Sequence, residues 1–364
     1  MMKFAFIQSR KRNSQISIQL KCGIHMASLE ILELLGPVTI QDKGRIGYQR
    51  FGVPRGGAMD HYALAEGQVL LGNDLETAAL EFQFGGGTFV SHGTMTLATS
   101  GGQMEILLGQ KPLPWRSTFT IYPNQVLQIR KTQSGIYSYL HLPGGIDSSI
   151  ILGSRSTHIA SGLGDVPKVG YHLTPLSENL FRQEGLTLPT PEYFDIKTLR
   201  IVYGPHSELF SDSDRKNLAL KQFRMSSSRN RMGARIKPID WEISALAGKT
   251  LVSDPIVAGD IQVAADGTTA ILLAESQPTG GYPRIASVIT SDLPKVAQMQ
   301  PGTEFKFQLV SNREAQIEFR KTFSRIKDLS HSLKSLVRDP FQMQDLLHYN
   351  FISGVTKGED NDGY

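Results

Sequence analysis

The sequence predicts a mainly β fold, built of barrel or sandwich lobes with a few short helices and one C-terminal helix. Three observations carry this. Short β-rich runs recur along the chain, punctuated by Gly, Pro, Asn or Ser, which favours antiparallel barrels over βαβ units. Helical periodicity is confined to a few stretches. The chain has 364 residues, of which 40% are apolar, enough for two ordinary domains with real cores.

Residues 1–28 read as a flexible basic leader. Lys3, Arg10, Lys11, Arg12 and Lys21 precede any acidic residue, and no apolar periodicity accompanies them. The leader lacks a signal peptide's compact apolar region and small-residue cleavage site. A flexible arm and a transit-like segment are two readings. The simpler one is that translation begins at Met26, where patterned sequence starts. Removing residues 1–25 is therefore expected to leave thermal melting unchanged. A drop of many degrees in the shortened chain would contradict that expectation.

The first lobe is expected over 29–197. Its strand candidates are Val38–Gln41, Thr88–Ala98, Glu105–Leu108, Thr118–Tyr122, Val126–Arg130 and Tyr137–Leu142. One helix interrupts them at Asp60–Leu71, with Asp60 as N-cap and Gly72-Asn73 as its stop. Residues 175–197 are polar and Pro-bearing, and read as a connector. The second lobe, 198–311, offers strands at Leu199–Val202, Ile261–Val263, Ala270–Leu273, Ala286–Ile289 and Glu304–Val310. Ser207–Gln222 reads as helix. In the extension 312–364, Phe319, Phe323, Ile326, Leu329, Leu333 and Leu336 recur every three or four residues. That spacing predicts an amphipathic helix ended by Asp339-Pro340 and packed on its own body. A short apolar segment surrounds Leu346 and Leu347, and the acidic stretch 358–364 reads as frayed.

Composition removes several function classes. One cysteine, Cys22, excludes an internal disulfide framework and a zinc site of several thiolates. No run approaches the roughly 18 apolar residues of a membrane span, so a cytoplasmic globular protein is expected. The formal charge is +4, from 38 basic and 34 acidic residues. Without the five leader cations the balance is 33 against 34, so the body offers no nucleic-acid footprint. The nine histidines show no metal-ligand spacing. There is no H-E-x-x-H, C-x-x-C or G-x-S-x-G. Gly248-Lys249-Thr250 lacks the earlier Gly of a phosphate loop, Ile243 standing there, and reads as a hairpin turn.

Three Gly-and-polar segments remain. Gln41–Asp60 holds five glycines, with Arg45 and Arg55 able to grip an anion and Asp42 able to orient them or move a proton. It reads equally well as a hydrogen-bonded loop closing a barrel end. Glu275–Arg284 follows an apolar strand and sets Gln277, Thr279, Tyr282 and Arg284 around Gly280-Gly281. Loops at strand ends are where rigid scaffolds place binding groups; a tight turn with a structural Tyr is the plainer alternative. Ser227–Ile236 clusters Arg229, Arg231 and Arg235, for an anionic ligand or for solvent. A weaker fourth, Leu142–Thr157, offers Ser154 and Arg155.

Taken in order, "TIQDKGRIGYQRFGVPRGGAMD", "AALEF", "LGSRST", "YGPH", "NRMGARI", "AGDIQVAADG" and "ESQPTGGYPRIASVI" resemble the carboxyltransferase-like family named for the C subunit of 5-oxoprolinase. The same family carries the names KipI antagonist (KipA) and allophanate hydrolase subunit 2. The resemblance runs from about Leu29 to Val310. It implies cyclophilin-like barrels and ATP-driven hydrolysis of 5-oxo-L-proline to L-glutamate, ATP acting with Mg2+. It implies two further subunits as partners, a KipI-like one (B) and a LamB/YcsF-like one (A).

In such a site Arg45, Arg231 and Arg284 would supply cations, and Gln277, Thr279, Gly280 and Gly281 hydrogen-bond donors. Asp42 would be the base, with Tyr48, Arg55, Asp60 and Tyr282 as further substrate or nucleotide contacts. No metal ligand set is expected. Tyr137, Tyr171, His206 and Pro278 depart from the family pattern, which bears on substrate rather than fold. Two other readings stay open. One is a biotin-dependent carboxyltransferase component, using biotin carried elsewhere, since this chain has no A-M-K-M or V-M-K-M motif. The other is a regulator that sequesters a KipI-like kinase inhibitor.

Overall fold

The computed structural model describes residues 27–194, 197–244 and 251–337. The leader's first 26 residues, the Gly248-Lys249 turn, Asp339-Pro340, the Leu346-Leu347 segment and 358–364 lie outside the described residues. The molecule is mainly β, with one curled sheet, one closed barrel and, among the described residues, four α-helices.

The first lobe is a nine-stranded antiparallel sheet from Leu29–Leu34 to His172–Leu173. Two long strands, Met95–Leu108 and Val126–His141, form its spine. Each merges runs that the sequence divides at glycine. Gly101 and Gly135, with φ near +80° and +77°, do not end strands here. Register shifts lie between Gly101 and Ile106, so the glycines mark bulges that bend paired strands and curl the sheet. Conversely, Thr88–Ala98 is two strands, Gly87–Ser91 and Met95–Leu108, split by the intervening turn. Ile31, Ile40, Leu80, Phe82, Phe89, Leu97, Ile121, Leu127 and Leu140 are fully buried on the inner face.

The second lobe is a closed seven-stranded barrel. Around it run Thr198–Tyr203, Arg284–Val288, Asp260–Val263, Thr269–Leu272, Gly233–Pro238, Gln222–Arg229 and Glu304–Leu309. Parallel pairing of Thr198–Ile201 with Lys306–Leu309 closes the ring. Alternation decides which way each strand faces: Ala234, Ile236, Ile261, Val263 and Ile271 fill the interior beside Phe223, Phe305 and Phe307.

Helix α1 (His61–Leu70) starts where the sequence places it, because Asp60 accepts the Ala63 amide at 2.9 Å. Helix α2 (Asp212–Leu220) is shorter than the expected Ser207–Gln222. Ser211 caps it only at Asp214, and Gln222 already belongs to a barrel strand. Helix α3 (Leu293–Gln298) carries Pro294 in its first turn. Helix α4 (Asn312–Asp328) opens with a Ser311–Glu314 capping box. It stops eleven residues before Asp339, passing into a 3₁₀ turn at Leu329–Ser332. Ile326, Leu329 and Leu333 then pack on Ala65, Leu70 and Leu71, so this segment docks on its own first lobe. No described helix is long and apolar enough to cross a membrane.

The lobes share one core. Met59, Ala63, Leu64, Tyr137 and Tyr139 join the barrel's buried cluster. Gln298 at the end of α3 accepts from Ile136 N at 2.8 Å and donates to Tyr137 O at 2.7 Å and Asp60 Oδ2 at 2.9 Å.

Inside the first lobe, Gly67 lets α1 close on His141. A Cβ there would lie 2.0 Å from the ring nitrogen. Burial drives the His141 pKa from 6.5 down to about 3, since charging it would strand a cation in the core. The folded value is depressed, so the unfolded chain binds the extra proton. Stability from this group is full above 6.5 and is lost progressively as pH falls toward 3. In urea melts between pH 7 and 4 the wild type should lose more stability toward pH 4 than His141→Gln does, the difference in slope isolating this group. An equal slope in the variant would contradict the assignment.

Candidate functional site

A cleft of about 580 Å³ lies on the outer face of the barrel, within the range of small-molecule sites. Strand register explains its floor. Arg235 pairs with Ala270, and Ala270 with Gln262, so the three stand side by side on one face. Their neighbours Ala234, Ile236, Ile261 and Ile271 point into the core, which turns Arg235 and Gln262 outward.

Two turns wall the cleft. One is the hairpin tip after Arg229, where Asn230 Oδ1 accepts from Met232 N at 2.8 Å and Gly233 N at 3.2 Å. The other is Ser276–Tyr282, of which Ser276, Gln277, Gly280, Gly281 and Tyr282 line the space. At Gly280 the backbone runs close to the floor: a Cβ would meet Gln262 Nε2 at 3.0 Å and Ile256 at 3.2 Å. Backbone pairing of Thr279–Gly280 with Asp254–Pro255 holds this turn.

Buried charge pairs brace both walls. Arg231 leaves the hairpin tip inward. Its Nε donates to Glu275 at 2.6 Å, its Nη1 to Glu81, and its Nη2 to Gly57 O at 2.6 Å. Burial disfavours this cation, but Glu81 and Glu275 outweigh that and hold its pKa above the ordinary value. Glu81 also accepts from Met59 N and Tyr139 Oη, each at 2.8 Å. Arg284 donates to Pro255 O at 2.7 Å, to Asp260 at 3.1 Å and to Asp254. Arg229 donates to the carbonyls of Val296, Ala297 and Met299 at the end of α3. Cations at helix C-termini are favourable.

The expected site residues therefore fall into two groups. Gln277, Gly280, Gly281 and Tyr282 come together in the cleft. Thr279 is exposed beside it, in the strand that fixes the turn. Arg231 and Arg284 lie buried behind the walls.

The Gln41–Asp60 residues are elsewhere. Asp42 is buried and accepts from Gly44 N, Ser154 Oγ, Ser156 Oγ and Arg155 N. Arg45 is 1% exposed and donates to Ile151 O and Ser156 O. Tyr48 and Arg55 lie on the loop's outer part, Arg55 exposed. Asp60, besides capping α1, accepts from Tyr193 Oη at 2.6 Å. This loop reaches the barrel through its backbone, Gly56 N donating to Ala274 O at 3.1 Å.

Gln262 and Ser228 also line the cleft. Ser228 belongs to the Ser227–Ile236 segment, but Gln262 is revealed only by its pairing with Ala270, the residue that Arg235 also pairs with. Chemically, the cleft offers one exposed guanidinium at Arg235, three carboxamides at Asn230, Gln262 and Gln277, a phenol at Tyr282 and an apolar floor of Ile256, Ala270 and Leu272. That set suits a small polar molecule bearing a carboxylate and an amide.

The family described as carboxyltransferase domain, subdomain A and B, matches residues 51–309. The 5-oxoprolinase C subunit of Haemophilus influenzae is 33% identical over 295 residues, spanning 79% of this chain and 93% of the relative. The Escherichia coli protein of the same name is 30% identical over 292 residues, spanning 76% and 89%. The crystal structure of K. lactis urea amidolyase aligns with a TM-score of 0.75 at 23% identity. It covers 86% of this chain and 21% of that one, a likeness of fold.

Proposed function

The chain belongs to the carboxyltransferase domain family, and from that premise we propose that it is the C subunit of an ATP-dependent 5-oxoprolinase. The observation that carries this reading is its 33% identity to the Haemophilus influenzae C subunit, over 93% of that relative. The reaction is hydrolysis of 5-oxo-L-proline to L-glutamate. Water oxygen adds to the lactam carbonyl carbon, the C–N bond breaks and the nitrogen takes a proton. The cytoplasm, where ATP is at hand, is the expected compartment.

The cleft is the proposed substrate site. Arg235 would hold the substrate carboxylate. Gln277 and the Gly280-Gly281 backbone would donate to the lactam oxygen as charge develops on it. Tyr282 would cover the ring. Asp42, Arg45, Arg231 and Arg284 would act as positioning residues, because most of their polar atoms are engaged within the fold. A lactam resists attack because amide resonance weakens its carbonyl, so ATP must supply driving force.

The cleft does not fit a triphosphate. Arg229 is committed to three carbonyls, and Arg231 and Arg284 to carboxylates. ATP with Mg2+ would therefore bind outside this cleft, in a complex completed by KipI-like B and LamB/YcsF-like A subunits. No step in this cleft runs through it.

Replacing Arg235 with alanine should raise KM by about 10- to 100-fold with little change in kcat, as loss of a charge-assisted bond to bound substrate would. Steady-state kinetics on the reconstituted complex checks this. An unchanged KM would remove Arg235 from the site.

The family's description supports a second reading, carboxyl transfer from a biotin carried by another protein. ADP release from purified subunits given 5-oxoproline, urea or neither separates the two. Stimulation by 5-oxoproline alone supports the oxoprolinase. Stimulation by urea with a biotinylated carrier supports carboxyl transfer. Full substrate-dependent turnover by the isolated chain would contradict the need for partners.

A further inference from the structure

The first lobe carries a histidine cluster that the proposed chemistry does not use. Glu30 in Leu29–Leu34 pairs directly with His172 in the two-residue strand His172–Leu173. On the other side Glu30 pairs with Val90, and His92 N donates to Ser28 O at 2.9 Å. Cross-strand partners share a face, and so do residues two apart. Ser28, Glu30, His92 and His172 therefore stand on one face of three adjacent strands. Leu29 and Leu173, one residue away, are fully buried, so this face is the outer one.

The side chains converge. One ligand atom each from Glu30, His92 and His172 lies within 4.8 Å of the other two. His92 Nε2 is 2.7 Å from Glu30 Oε2, and the two imidazoles are 5.2 Å apart at 35°. Two donors on one tetrahedral zinc ion sit about 3.3 Å apart, given bonds of about 2.0–2.1 Å. The observed separations bracket that value, so small side-chain rotations suffice. Ser28 Oγ lies 3.1 Å from His172 Nδ1 and fixes the ring from behind, as outer hydrogen bonds do at metal sites.

We propose that Glu30, His92 and His172 form a surface site for one zinc-class divalent cation, with water in the fourth position. The donor set is two imidazoles and a carboxylate, which zinc accepts readily. Its role is structural. The strand His172–Leu173 has only two cross-strand pairs to Leu29–Leu34, and it leads into the connector between the lobes. A cation shared among three strands fastens that short strand to the sheet. Spacing along the sequence gave no sign of this site, since His92 lies 62 residues from Glu30.

The test is zinc titration of the chelator-treated full chain by calorimetry, paired with thermal melting. One zinc per chain is expected, with a higher Tm when zinc is present. The double variant His92→Ala/His172→Ala should melt like the wild type without zinc, and should neither bind zinc nor gain Tm from it. Ser28→Ala should keep the stoichiometry and weaken affinity by about 10-fold or more. No zinc binding by the wild type, or undiminished binding by the double variant, would overturn the proposal.

Discussion

Arg231→Ala is expected to destabilise the protein by about 3–5 kcal/mol, the usual cost of leaving buried charges without their partner. Arg231 is 8% exposed and Glu81 is 2% exposed. Removing the guanidinium leaves two carboxylates, Glu81 and Glu275, facing each other across the lobe junction. It also frees the Gly57 carbonyl. Three segments lose their common anchor at once: the hairpin tip, the turn at Glu275 and the end of the Gln41–Asp60 loop. Urea denaturation of the full chain measures the effect. Because Arg231 stands behind the cleft wall, activity should fall in step with the folded fraction. A variant that melts like the wild type yet has lost turnover would make Arg231 a direct substrate contact instead.

Gln277→Ala should do the opposite. Gln277 is exposed in the cleft, so its truncation should change stability by no more than about 0.5 kcal/mol. As a donor aimed at developing charge on the lactam oxygen, it should contribute about 3–4 kcal/mol to the rate, a loss of roughly 100- to 1000-fold in kcat. Kinetics of the reconstituted complex, with melting of the same preparation, separates the two quantities. Wild-type turnover would remove Gln277 from the mechanism. Equal losses of stability and turnover would make it a structural residue of the turn.

Where local chemistry decides structure, the sequence was readable. Asp60 announced α1 because an N-cap acts within three residues. Alternation along Ile261–Val263 marked a barrel strand because inside and outside differ at every step, whereas the strand Gly233–Pro238 stayed hidden within the Arg-rich segment Ser227–Ile236. Gly101 and Gly135 misled, since glycine serves a bulge as well as a turn, and only the partner strand distinguishes the two.

The site divides in the same way. Density of glycine and polar groups pointed to Glu275–Arg284, and four of its named residues line the cleft. The same density in Gln41–Asp60 lies outside the cleft, in a loop whose Asp42 accepts from Ser154 and Ser156, more than 100 residues away. Arg231 and Arg235 are four residues apart and look alike in sequence. One meets Glu81, 150 residues distant, and the other meets solvent in the cleft. No local pattern encodes that difference, because it depends on which carboxylate the fold brings near.

If this chain supplies the substrate cleft of a 5-oxoprolinase, the A and B subunits should depend on it for product. The most direct measurement is glutamate formed by them from 5-oxoproline and ATP, with this chain present or absent. Glutamate and ADP should appear together only when the chain is present. Full glutamate formation by A and B alone would contradict the assignment.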